Sequence, residues 1–124
     1  MPEERAGVLS ASTVMGGSVR NPQGEDLGKV EDLVVDLDAG CIAYAVLSFG
    51  GFLGLGDKHF AVPWEALRVA PHERRVVLDI SKDRLENAPG FAKENWPKTA
   101  NREWLRDVYA YYGYTPYWER RPER

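Results

Sequence analysis

The chain has one cysteine, Cys41, among its 124 residues. No intrachain disulfide can form, and nothing calls for an oxidising compartment. A basic surplus is missing too: 16 Lys and Arg stand against 19 Asp and Glu, for a formal charge of −3. Nucleic-acid phosphates are held by a basic field, so this balance argues against a nucleic-acid partner. The longest unbroken apolar run, Cys41–Leu47, is far below the ~20 residues that a membrane helix needs. The opening residues, MPEERAGVLSAS, are charged and do not form the apolar stretch of a secretory signal. Pro2 stands where a myristoylation signal has glycine, and the last residues make no CaaX box. Together these absences predict a cytoplasmic protein, one that reaches a membrane only through a peripheral partner.

What is present is ordinary for a globular chain: 44% hydrophobic residues in a length typical of one domain. Such a domain buries roughly two-thirds of its unfolded surface. Residues 1–8 read as an arm. Val8–Met15 offers four apolar anchors before the Gly16-Gly17 turn, and Ser18–Arg20 reads as a short strand closed by the turn Asn21–Gly24. Gly28–Leu37 reads as a strand whose apolar residues fall on both parities, which requires two covered faces or a bulge near Glu31-Asp32. Asp38–Gly40 makes a hairpin turn with glycine where φ must be positive. Cys41–Phe49 is apolar on both faces, as in a closed or two-layer β structure. The glycine-rich loop Gly50–Asp57 leads to a strand over Lys58–Val62, and Pro63 opens a single helical turn. A second hairpin, Arg68–Ala70 with Arg75–Ile80, precedes a short helix over 82–87 capped by Ser81.

The result is a mainly β fold, a small barrel of about six short strands, over residues 9–87. Residues 88–118 read as a helical extension rich in aromatics, and 119–124 as a charged tail. Asn101 can cap a helix that Gly113 ends. On it Trp104, Leu105, Val108, Tyr109 and Tyr112 form one stripe, to be buried on the barrel wall or on a second subunit.

The stretch GEDLGKVEDLVVDLDAGCIAYAVLSFGG resembles the signature of the PRC-barrel family. That domain is shared by the cytoplasmic part of the photosynthetic reaction-centre H subunit and the C-terminal half of the ribosome maturation factor RimM. Lys58–Trp64 is similar to the strand, proline and turn that follow in the family. The resemblance spans about Leu9 to Ile80. The rest, with Asn87–Phe91, Trp96-Pro97 and Tyr111–Tyr114, looks like the tail of stand-alone bacterial members. The resemblance implies a small β-barrel used for protein–protein contact. It brings no catalytic set, so the chain is expected not to be an enzyme, and no cofactor is implied.

Motifs that suggest chemistry fail on their neighbours. Gly51–Lys58 has glycines spaced as in a P-loop, but Asp57 stands where the phosphate-binding lysine belongs and a strand follows instead of a helix. Asp36–Gly40 opens like a calcium loop, but the closing acid would fall at Leu47; a hairpin turn with solvated carboxylates is the simpler reading. Cys41 has no nearby histidine and belongs to a residue type often buried. His59 and His72 lack ligand spacing.

Surplus bulky residues outside the barrel strands therefore carry the functional expectation. Phe52, Leu53 and Leu55 on the glycine loop, with Trp104 and Tyr112 on the helix, are candidate contacts to a protein partner or a second copy in a homo-oligomer. The alternative is a sensor for a small ligand or ion, with Tyr44, His59 and Trp64 lining the barrel mouth.

Overall fold

The computed structural model describes residues 8–49, 58–70, 75–91 and 101–120. A short helix, α1 (Ala11–Val14), precedes β1 (Ser18–Arg20), β2 (Asp26–Asp36), β3 (Cys41–Phe49) and β4 (Lys58–Val62). A 3-10 turn, Trp64–Ala66, leads to β5 (Leu67–Ala70) and β6 (Arg75–Leu78). Then come α2 (Lys82–Glu86), β7 (Gly90–Phe91), α3 (Arg102–Tyr112) and a final 3-10 turn, Tyr117–Glu119.

All seven described strands form one curled sheet in the order β5-β6-β1-β2-β3-β4-β7. Neighbours are antiparallel except β1 and β6, which run parallel. β7 is the difference from the sequence-based expectation, since it comes from the segment read as helical extension. Two residues carry no periodicity, so the sequence could not announce it.

The long β2–β3 hairpin is the frame. Gly40 closes its turn at φ 71°. The bulge expected near Glu31-Asp32 is present: Val30 pairs with Leu47 and Asp32 with Val46, which leaves Glu31 as the extra residue. A second irregularity leaves Ala43 extra on β3, between the pairs Val34–Tyr44 and Val35–Ile42. The bulge at Glu31 lets Val30 and Leu33 share the inner face, whereas β3 is buried on both parities because each of its faces carries a core.

The inner face of the curl holds the larger core. Val19, Leu27, Val30, Leu47, Phe60, Val62, Val76 and Leu78 meet there, closed at the ends by Val14 of α1 and Leu85 of α2. Full burial of each such side chain contributes about 1.5–3 kcal/mol. The outer face of β3 and β4 holds a second core, in which Ala43, Tyr44, Val46 and Ala61 meet Leu105, Val108 and Tyr109 of α3. The aromatic helix thus packs on the sheet of its own chain. Its ends are those the sequence marks: the Asn101 side chain accepts from the Trp104 N–H, and Gly113 adopts φ 84°. Ser81 caps α2 in the same way, accepting from the Arg84 N–H.

Candidate interaction surface

Val35 follows Leu33 on the inner face of β2, which ends at Asp36 and not at Leu37 as the sequence suggests; Leu37 opens the turn beyond, and the core ends before both. Leu33 packs against the inner core, whereas Val35 is 55% and Leu37 88% exposed. Half-buried Ile42 lies directly opposite Val35 and extends the patch onto β3. An uncharged row therefore runs out of the core along the free end of the hairpin. Exposed apolar groups arranged in a row, not scattered singly, are the usual mark of a contact surface.

The opposite face of this hairpin end is tied down. Asp36 was expected to be a solvated turn carboxylate; instead its side chain is only 7% exposed. Its Oδ1 accepts the N–H groups of Asp38 and Ala39, both at 3.0 Å. Its Oδ2 accepts the Tyr117 hydroxyl at 2.5 Å and pairs with Arg102 at 3.4 Å. The Tyr117 hydrogen bond, helped by the turn N–H groups, holds the Asp36 carboxyl below its usual range. Burial and the same carboxylate push the Tyr117 phenol well up. Arg102 stacks over Trp118, 4.8 Å from the ring centroid, and Arg106 pairs with Glu119. Arg120 closes the segment with a bidentate pair to Glu65 at 2.6 and 2.7 Å. The C-terminal segment is thus clasped across the outer face and leaves the inner-face row open.

The structure also places the residues singled out by sequence. Trp104 is half-buried and meets the Tyr44 ring edge-on at 5.6 Å and 77°. Tyr112 touches both cores, and its buried hydroxyl has no hydrogen-bond partner among the described residues. Burial pushes that phenol well above the ordinary tyrosine range. Both side chains serve the seam between α3 and the sheet. Phe52, Leu53 and Leu55 lie outside the described residues, as does His72. The trio proposed to line a mouth does not converge: Tyr44 belongs to the outer core, whereas Trp64 packs on the inner one. His59 is buried on β4, with its side chain on the parity of outer-face Ala61. Cys41, the first residue of β3, is exposed rather than buried. Partial desolvation and nearby Asp36 raise its pKa, which keeps it a thiol and a poor nucleophile at neutral pH. No cluster among the described residues could hold a metal ion, and no described helix is long and apolar enough to cross a membrane.

Sequence reasoning missed two polar anchors. Tyr109 donates to the Ala43 carbonyl at 2.7 Å, using the backbone group that the β3 irregularity withdraws from regular pairing. Asn21 joins the β1–β2 turn to the end of β6, donating to the Ile80 carbonyl at 3.0 Å and to Glu25 at 2.7 Å. Its position before Pro22 signals a turn, but the contact across 59 residues has no local signal.

A curled sheet wrapped on one core, with a helix on its outer face, defines a small β module of the barrel class. The chain matches the PRC-barrel domain over residues 6–85, more than half of its length, and it belongs to that family. No curated protein matches it significantly.

Proposed function

We propose that the chain is a non-enzymatic protein–protein interaction module of PRC-barrel type, acting in the cytoplasm and self-associating through the free end of the β2–β3 hairpin. The observation that carries this reading is the apolar row in which half-buried Leu33 continues into exposed Val35 and, in the turn, exposed Leu37. The row is uncharged, so a second copy of the same patch is its natural complement. Apposed about a two-fold axis, each copy covers the other's row and no charge is desolvated. The clasp on the other face supports this role, since it holds the hairpin end rigid and reduces the entropy lost on docking. Phe52, Leu53 and Leu55, on the loop that leaves the other end of β3, are candidates for a second contact.

Sedimentation velocity over a concentration series tests the proposal. Wild type is expected to dimerise in the micromolar range. The double variant Val35→Asp, Leu37→Asp should remain monomeric with little change in melting temperature, because neither side chain belongs to a core. Equal association of both proteins overturns the assignment.

A further inference from the structure

The outer face of the sheet changes character along its strands. Under α3 it is apolar. Beyond the helix, Val46 gives way to Ser48 on β3, two residues on and on the same face. Ser48 lies directly opposite Lys29, and Lys29 directly opposite Ser18, so the three form one row across β3, β2 and β1. Side chains so paired start about 5 Å apart. Arg20 joins them, opposite Asp26.

The register shift between Ser18 and Arg20 builds this row. It sends Leu27 into the inner core while Asp26 and Lys29 both line the outer groove. Gly28 makes the shift possible. It has φ 98°, and a Cβ there would sit 2.2 Å from the Ser48 carbonyl oxygen. The outcome is an open groove of about 430 Å³ lined by Ser18, Arg20, Asp26, Lys29 and Ser48, with Gly16 and Gly28 at its wall.

Two cations and two hydroxyls face one carboxylate in a chain whose net charge is −3. The Lys29 ammonium makes no hydrogen bond or ion pair among the described residues. Arg20 is held in place through one guanidinium nitrogen, which donates to the Gly24 carbonyl at 3.2 Å, and its remaining N–H groups stay available. Asp26 already accepts the Gly28 N–H through Oδ1 at 2.9 Å, which leaves Oδ2 free to accept from a ligand hydroxyl.

We propose that this groove binds phosphate, free or as a small monoester. Arg20 and Lys29 neutralise the oxyanion, and Ser18 and Ser48 donate to its oxygens. In an ester, Asp26 accepts from a hydroxyl of the alcohol portion. The groove lies on the outer face, away from the hairpin row, and the proposal stands independently of self-association.

Titration of the labelled protein by heteronuclear NMR tests it, with inorganic phosphate, glycerol 3-phosphate and glycerol as probes. The expected result is saturable shifts centred on Ser18, Lys29 and Ser48, with a dissociation constant on the order of 1 mM. K29Q and R20Q should each weaken binding roughly tenfold, the scale of one hydrogen bond to a charged group. R68Q, a charge-matched change on β5, should leave it unaltered. Tighter binding of glycerol 3-phosphate, with the surplus lost in D26N, identifies an ester as the occupant; equal binding identifies free phosphate. Shifts that rise linearly to high concentration, that centre elsewhere, or that persist unchanged in K29Q overturn the proposal.

Discussion

Gly28 and Gly24 both have positive φ, at 98° and 89°, yet they carry different burdens. Around Gly24 a Cβ meets nothing within 4 Å, so Gly24→Ala costs only the left-handed conformation, about 1–2 kcal/mol. At Gly28 the same change adds a collision with the backbone of β3. Gly28→Ala is expected to lose about 3 kcal/mol or more, read as a fall in the urea midpoint at unchanged m. Tyr109→Phe isolates a different cost. It leaves the Ala43 carbonyl buried without its donor, so a loss of about 1–3 kcal/mol is expected in the same measurement. These residues also mark what the sequence reveals. Gly40 and Gly113 stand at turn and cap positions that their neighbours announce. The Gly28 collision and the Tyr109 bond depend on which strands lie side by side, and no local pattern carries that.

At the scale of elements, α3 was legible almost in full. Its cap, its terminal glycine and its apolar stripe are all local signals, and the structure uses each one. What covers the stripe was not legible, because the answer lies in the outer face of β3 and β4, far earlier in the chain. Leu105→Ala removes a fully buried side chain from that seam and is expected to cost about 2–4 kcal/mol. The clasp adds a pH signature. Asp36 has a folded pKa below its unfolded value, so its contribution is present at neutral pH and is lost as pH falls below about 4. Tyr109, Tyr112 and Tyr117 have folded pKa values above their unfolded ones. Unfolded chains therefore release these protons first, and stability falls as pH rises beyond about 10. Urea midpoints measured from pH 3 to 11 should show a plateau with both shoulders. In Tyr117→Phe the acid shoulder should shrink, since Asp36 loses the largest cause of its shift.

Across the whole molecule, the two faces of one sheet serve different ends. The outer face carries its own cover, α3, and beyond it a polar groove. The inner face encloses the main core and then runs out along the hairpin at Val35, with Leu37 in the turn beyond. The mainly β architecture and the family were readable because the hairpin signature is dense in turn glycines and paired apolar residues. The surface proposed for self-association was not legible there, because Val35 and Leu37 look like ordinary core positions of an amphipathic strand. Only the length of the sheet relative to its core shows that they overhang it. The central claim is that this overhang is where a second copy docks. Sedimentation velocity on wild type and on Val35→Asp, Leu37→Asp, from 1 to 300 µM, tests it most directly. The account predicts a concentration-dependent dimer for wild type and a well-folded monomer for the variant throughout. A wild type that stays monomeric at 300 µM, or a variant that dimerises as wild type does, would contradict it.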